Sequence, residues 1–224
     1  MVSGASFYQN KASGAEYGGG AAYFTGATAS FTNTGFEENE SLTKNGGAVC
    51  GYSSTVLTMN DVTLTRNVAA DNGGAICINK SSLTVTTTIV LNNNRAGGDG
   101  GAIHMKESTM TANAITAAGN TAEGGGGAIY LNKADSANKA AHLAVTTLTV
   151  AQNSAGGNGG ALYFHTYAVA EIGTLIATEN VSEEYGGAIY ASTKDRVVIT
   201  TVTATENEAA DKGGFLYLTT GGTV

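Results

Sequence analysis

The sequence predicts an all-β fold, a right-handed parallel β-helix (β-solenoid) of about eight coils, with about 27 residues and three short strands in each coil. Three observations lead to this prediction. Gly-Gly pairs recur at a nearly constant interval, each pair opens a similar apolar phrase, and an Asn precedes each pair, in most coils at a fixed distance. Because one coil cannot bury its apolar face alone, repeats of this kind stack until neighbouring coils share a continuous core.

The Gly-Gly pairs define the length of each coil. Successive pairs are 27, 27, 27, 26, 33, 27 and 27 residues apart. The pairs are Gly19-Gly20, Gly46-Gly47, Gly73-Gly74, Gly100-Gly101, Gly126-Gly127, Gly159-Gly160, Gly186-Gly187 and Gly213-Gly214. The one longer interval predicts a short excursion near residues 134–139, where the sequence is polar. We interpret residues 1–224 as a single β-solenoid domain and expect it to be a segment of a longer protein.

Each coil contains three segments that are typical of strands. The residues ahead of the Asn alternate with a period of two, as in T-V-T-A-T at residues 201–205. A second segment lies mid-coil, for example residues 83–86, and the phrase after Gly-Gly supplies a third, with Ile76 and Ile78 on one side. Glycine is abundant (32 residues) and proline is absent, which favours many short strands joined by tight turns.

Charge and hydropathy exclude some partners. The net charge is −7 with only 11 Lys and Arg residues, whereas nucleic-acid binding depends on clustered cations, so we expect no nucleic-acid partner. No run of 18 apolar residues occurs, and residues 1–4 lack the features of a signal peptide. We therefore expect no direct membrane insertion, and an extracellular location would need an export signal outside this chain.

One Asn recurs ahead of each Gly-Gly pair, and we predict a structural role for it. Stacked Asn side chains can point inward and donate their amides to the neighbouring coil, which avoids burying unpaired polar groups. The predicted asparagine ladder comprises Asn10, Asn39, Asn67, Asn94, Asn120, Asn153, Asn180 and Asn207.

A second column follows the Gly-Gly pairs and is mostly aromatic. If its aliphatic neighbours point inward, this column faces outward and could bind sugars or a protein partner; alternatively, the rings only stabilise adjacent strands or are covered by a turn. The candidate surface aromatic column comprises Tyr23, His104, Tyr130, Tyr163, Tyr190 and Tyr217. Cys50 and Cys77 occupy the same column one coil apart, a spacing compatible with a disulfide and equally with two free thiols.

Two further columns point to ligands more weakly. Acidic residues near the turn before Gly-Gly could offer oxygen atoms to Ca²⁺, but no calcium-loop motif is present, and we expect solvated charges and no cofactor or metal site. These residues are Asp71, Asp99, Glu123, Glu183, Glu184 and Asp211.

Outward threonines resemble the flat face of ice-binding solenoids, although β-propensity explains them better because other residue types interrupt the array. They include Thr63, Thr65, Thr147, Thr149, Thr174, Thr178, Thr201, Thr203 and Thr205.

Catalysis is not predicted. Parallel β-helices include polysaccharide-cleaving enzymes, so activity must be argued from a site with paired carboxylates or an acidic cluster beside a base. The three arginines (Arg66, Arg95 and Arg196) and three histidines (His104, His142 and His165) form no convergent constellation in the sequence, and we assign no catalytic residue.

The repeat resembles that of a known family. A G-G-A-(I/L/V) phrase follows F-x-x-N at residues 7–10 and 36–39, whereas later coils keep the Asn and replace the Phe with Leu, Ala or Val. This combination is similar to the passenger region of the chlamydial polymorphic outer membrane proteins. The resemblance covers essentially the whole chain, and the membrane β-barrel of that family is missing from it.

The resemblance implies an extracellular or cell-surface β-helix rod with a structural or adhesive role. We expect its partners to be further copies that associate through open solenoid ends, which leave strand edges unpaired, or a host or cell-surface protein or glycan. The alternative is a carbohydrate-binding or polysaccharide-degrading β-helix, and ice binding is a less favoured interpretation.

Overall fold

The structure is a computed structural model that describes residues 1–14, 17–132, 140–192 and 194–219. Within these residues, 25 strands form three parallel sheets, and each sheet is ordered coil by coil along the chain. The predicted all-β solenoid with three strands per coil is therefore confirmed. The excursion predicted near residues 134–139 lies outside the described residues, and no helix long and apolar enough to cross a membrane occurs among the described ones.

The strands of each sheet follow one another from coil to coil. The long sheet contains β1 (Val2–Ser3), β2 (Ser6–Tyr8), β5 (Thr28–Glu37), β8 (Val56–Thr65), β11 (Ser82–Asn92), β14 (Thr109–Ala118), β17 (His142–Ala151), β20 (Val169–Thr178) and β23 (Arg196–Thr205). The short sheet contains β3 (Lys11–Ala12), β6 (Glu40–Ser41), β9 (Val68–Ala69), β12 (Arg95–Ala96), β15 (Thr121–Ala122), β18 (Ser154–Ala155), β21 (Val181–Ser182) and β24 (Glu208–Ala209). The Gly-Gly sheet contains β4 (Ala22–Thr25), β7 (Val49–Tyr52), β10 (Ile76–Asn79), β13 (Ile103–Lys106), β16 (Ile129–Leu131), β19 (Leu162–Phe164), β22 (Ile189–Ala191) and β25 (Leu216–Leu218).

Strict register places like residues above one another. Leu64 of β8 pairs with Phe36 in the preceding coil and with Leu91 in the following coil, and all three side chains are fully buried. The long strands follow the predicted alternation, because the side chains between these inward residues are partly exposed. β11 carries one extra residue, and its register shifts between Val85 and Thr88. Stacking of inward columns produces the continuous apolar core that a solenoid requires.

The two glycines of each pair have different roles. Gly73, the first of its pair, has a φ of 67°, a left-handed conformation that glycine adopts without strain. Gly74, the second, packs so closely on the next coil that a Cβ atom would collide with the carbonyl oxygen of Gly101. The repeated pair therefore reflects one conformational and one steric requirement, both imposed by stacking at a strand spacing of about 4.8 Å.

Candidate functional site

The predicted Asn column is a continuous hydrogen-bonded ladder. The Nδ2 of Asn94 donates to the Oδ1 of Asn120 at 3.0 Å and to the Leu64 carbonyl oxygen at 3.0 Å. The Oδ1 of Asn94 accepts from both the backbone N–H and the Nδ2 of Asn67, each at 3.0 Å. The same side-chain contact links each member to the next from Asn10 to Asn207. Six of the eight side chains are buried, and Asn10 and Asn207 are more exposed.

A second polar ladder lies immediately before Gly-Gly and was missed in the sequence. The Oδ1 of Asn45 accepts from the backbone N–H of Asn72 at 3.1 Å, the Oδ1 of Asn72 accepts from Asp99, and that of Asp99 accepts from Gly125, the last two at 2.8 Å. Asn158 accepts from the backbone N–H of Tyr185 in the same way. The detectable signal was an Asn or Asp directly before four of the eight Gly-Gly pairs.

A third set of polar contacts lies just before the long strands. The Oγ of Ser81 accepts from the backbone N–H of Thr55, and that of Ser108 accepts from Ser81. In a later coil, the Asp195 carboxylate accepts from the backbone N–H of Ala168 at 2.8 Å and of Ser192 at 2.6 Å. Each of the three corners thus has polar side chains that satisfy backbone groups, which leaves few polar groups of the turns free for a ligand.

Asp195 should make stability depend on pH. Its side chain is buried, and desolvation raises its pKa to about 6 even though two backbone N–H groups stabilise the carboxylate. The unfolded value is about 3.9, so between pH 4 and 6 the folded protein keeps a proton that the unfolded chain has lost. We expect the free energy of unfolding to fall by about 3 kcal/mol as pH rises through this window.

Urea denaturation at pH 4, 5, 6 and 7 measures this contribution. Asp195→Asn should flatten the profile between pH 4 and 6, because the amide does not titrate. Equal slopes in the wild-type protein and the variant would show that Asp195 is not the group responsible.

Ser182 carries a buried hydroxyl without a partner. Its Oγ makes no hydrogen bond in the described structure, and its neighbours in the short sheet are Ala155 and Ala209. Burial of an unpaired hydroxyl costs free energy, so we expect Ser182→Ala to raise the free energy of unfolding by about 1 kcal/mol. Thermal and urea unfolding of the two proteins measure the change, and a loss of stability would mean that the hydroxyl has a partner.

The aromatic column differs from the predicted surface column in its central part. His104 and Tyr130 are only 5% and 4% exposed, whereas Tyr163, Tyr190 and Tyr217 are half-buried and Tyr23 is exposed at the first coil. The turn before Gly-Gly covers the column: a Cβ atom on Gly125 would collide with the Tyr163 ring. The rings contact one another along the column, with centroids 4.9 Å apart from Tyr130 to Tyr163 and 4.6 Å from Tyr163 to Tyr190.

The two cysteines are free, buried thiols that lie side by side. Cys50 and Cys77 are register partners in the Gly-Gly sheet, and the Cys77 Sγ lies 3.9 Å from the Nδ1 of His104. A hydrogen bond with Cys50 and burial raise the pKa of the Cys77 thiol. Burial also lowers the pKa of His104 to about 4, so the imidazole is neutral at physiological pH. At Cys77 this arrangement favours the neutral thiol over a reactive thiolate.

The structure brings together two histidines that the sequence separates. The ring of His104 stacks on Tyr130 at 5.5 Å, and the Nδ1 of His165 lies 2.7 Å from the Tyr130 hydroxyl oxygen. Burial raises the pKa of Tyr130 well above its usual range, which keeps the phenol protonated. Because both His104 and Tyr130 are buried, this cluster fits a packing role better than contact with a substrate.

Four of the six acidic residues near the Gly-Gly turns have partners within the protein. Asp99 accepts a backbone N–H in the second ladder, Asp71 accepts from the Nδ2 of Asn72 at 2.8 Å, and Glu123 forms an ion pair with Arg95. Asp211 hydrogen bonds to Tyr185 and thereby raises the pKa of that phenol. No group of three or more His, Cys, Asp or Glu side chains that could hold a metal ion is found in the described part of the chain.

A shallow groove runs across the middle of neighbouring long strands, from β14 to β23. Its volume is about 490 Å³, and its lining includes Thr146, Gly173 and Thr200 with the apolar side chains of Ala144 and Val198. Glu171 also lines the groove and forms an ion pair with Arg196 at 2.9 Å, which lowers the pKa of the Glu171 carboxyl. The groove offers hydroxyl groups and one charged pair but no aromatic ring.

Comparison with known proteins supports the repeat assignment. The family model described as the Chlamydia polymorphic membrane protein repeat matches residues 61–79, 88–106 and 147–165. Each match runs from the second half of a long strand, through a ladder Asn and a Gly-Gly pair, to the Gly-Gly sheet. No curated protein and no solved structure matches the chain. The matched repeats and the stacked coils show that the chain is a parallel β-solenoid whose repeats are similar to those of the Chlamydia polymorphic membrane proteins.

Proposed function

We propose that this chain is an extracellular or cell-surface rod with a structural or adhesive role, part of a surface adhesin or fibre. The observation that carries this proposal is the match of a polymorphic membrane protein repeat to three of the regularly stacked coils. Polar side chains at all three corners are used by neighbouring coils, as the asparagine ladder illustrates. What remains available for partners is the outer surface of the rod.

The described residues favour a non-enzymatic role. His104 and Tyr130 are buried and therefore inaccessible to a large substrate, and the one carboxylate lining the groove, Glu171, is held by Arg196. A hydrolase of this fold would need a second carboxylate near the first. A rod that acts through its surface requires no such site.

An adhesion assay tests the adhesive role. Fluorescent beads coated with the folded chain would be applied to cultured cells and to immobilised extracellular-matrix glycoproteins, with beads carrying the urea-denatured chain as the matched control. Retention of only the folded-chain beads is expected, with a host or cell-surface protein or glycan as the partner. Equal retention of both kinds of bead would contradict the proposal.

Electron microscopy separates the adhesive from the fibrous form of the proposal. Negative-stain images of the purified chain over a concentration series would show filaments of solenoid width if copies associate end to end. Discrete short rods at all concentrations would instead favour a receptor- or glycan-binding module and remove self-association from the proposal.

A second candidate function is carbohydrate binding, and the groove beside Glu171 is the observation that favours it. Threonine hydroxyls and the Glu171–Arg196 pair could hydrogen bond to sugar hydroxyls along the groove. A glycan array compares the wild-type chain with Glu171→Gln, and Glu179→Gln in a turn outside the groove lining serves as the control. Release of reducing sugars from bound glycans would extend this candidate to polysaccharide degradation, and no binding by the wild-type chain would exclude the groove.

A further inference from the structure

Part of the outer surface of the long sheet carries mostly threonine and other uncharged side chains in a regular array. In the C-terminal half of each long strand, next to the asparagine ladder, alternate residues point outward and are partly exposed. We call this surface the threonine face, and it comprises the outward side chains within residues 61–65, 88–92, 114–118, 147–151, 174–178 and 201–205. Asp61 is the single charged residue of this face.

The threonine face is regular in two directions. Its central column follows an unbroken register from Thr63 through Val90, Thr116, Thr149 and Ile176 to Thr203. Neighbouring strands are about 4.8 Å apart and alternate residues of one strand about 6.7 Å apart, so the face measures about 24 Å by 13 Å. Because a closed ladder of Asn hydrogen bonds borders it, this lattice is held rigidly in place.

The hydroxyl groups of this face are available to water. In the described structure, no hydrogen bond to other protein groups involves the hydroxyls of Thr63, Thr149 or Thr203, whereas Thr205 donates to Thr178 at 3.2 Å. Threonine combines a hydroxyl, which holds a water molecule, with a methyl group, which orders the water beside it. A lattice of such pairs can position water molecules in a repeating two-dimensional pattern.

We propose that the threonine face binds the surface of ice. Ice is an uncharged ligand with a repeating array of water oxygens at spacings comparable to those of the threonine face. The threonine face has one charged residue, Asp61, so it is also nearly uncharged. Charged side chains would hold hydration shells that an ice lattice does not accept. Val90 and Ile176 interrupt the threonines of the central column, but they are uncharged and add apolar area in the same register. This inference concerns a different surface from the groove and does not depend on the proposed function.

Partition into growing ice tests the proposal with the intact chain. A dilute solution is frozen slowly on a cold surface, and the protein in the ice fraction is compared with that in the liquid, alongside the difference between melting and freezing temperatures. Thr149→Tyr places a bulky ring at the centre of the face, between Thr116 and Ile176. The matched control is Thr121→Tyr, on the outward side of the short sheet between Arg95 and Ser154.

We expect the wild-type chain and Thr121→Tyr to enter the ice, and Thr149→Tyr to remain in the liquid and lose the freezing-point difference. Circular dichroism would establish that both variants keep the β-sheet fold. Exclusion of the wild-type chain from ice, or equal loss in both variants, overturns the proposal. A dimer that Thr149→Tyr dissociates, detected by sedimentation, also overturns it, because the face would then be occupied by a second copy.

Discussion

Gly101→Ala is expected to lower the free energy of unfolding by about 3 to 5 kcal/mol. A Cβ atom on Gly101 would collide with the carbonyl oxygen of Gly127 and approach the backbone of Thr121 within 2.7 Å. These are backbone atoms, so no side chain can rotate away and the coils must separate locally. Because strand register holds neighbouring coils at a fixed spacing, the strain spreads along three sheets instead of being relieved at one turn.

Urea denaturation followed by circular dichroism measures the loss, and Gly35→Ala is the matched control. A Cβ atom on Gly35 meets no heavy atom within 4 Å, and its φ is not in the left-handed region. Glycine inside a strand costs conformational entropy, so Gly35→Ala should raise stability by about 0.5 kcal/mol. If the two substitutions changed the free energy of unfolding by similar amounts, the close approach of neighbouring coils would not be the reason for glycine at the second position of each pair.

Asn120→Ala is the second substitution with a large expected effect, about 3 to 4 kcal/mol of lost stability. The Asn120 amide donates to the Leu91 carbonyl oxygen at 2.8 Å and to the Oδ1 of Asn153 at 2.9 Å. Its Oδ1 accepts from the backbone N–H and the Nδ2 of Asn94. The residue is fully buried, so alanine leaves these groups unpaired where water cannot replace the lost partner.

The matched control for the ladder is Asn113→Ala. Asn113 lies on the exposed surface of β14 in the same coil, so its substitution should change the free energy of unfolding by less than about 0.5 kcal/mol. Equilibrium urea unfolding of both variants gives the comparison. If Asn120→Ala lowered the free energy of unfolding as little as Asn113→Ala, the hydrogen bonds of the ladder would stabilise the protein little more than the hydrogen bonds to water that they replace on folding.

The sequence alone was sufficient to predict the coil. The Gly-Gly interval set its length and the recurring Asn pointed to a ladder, because both depend on local chemistry that repeats in every coil. The period-two patterns located the long strands, each of which joins two of the predicted segments, and the strands after Gly-Gly, but not the two-residue strands of the short sheet such as Arg95–Ala96. The Asn or Asp before Gly-Gly, as at Asn45 and Asn72, carried an equally local signal, although only the structure showed that it forms a ladder.

The tertiary structure decided what depends on the packing of turns against sheets. The period-two alternation of the sequence could place Tyr130 on the outward side of its strand. Only the structure showed that the preceding turn covers this column and that Tyr130 is buried. The approach of His165 to Tyr130, the raised pKa of Asp195 and the groove beside Glu171 likewise arise from groups in different coils. Periodicity fixes the face to which a side chain belongs, whereas its exposure and pKa depend on what covers that face, and no repeat unit contains this information by itself.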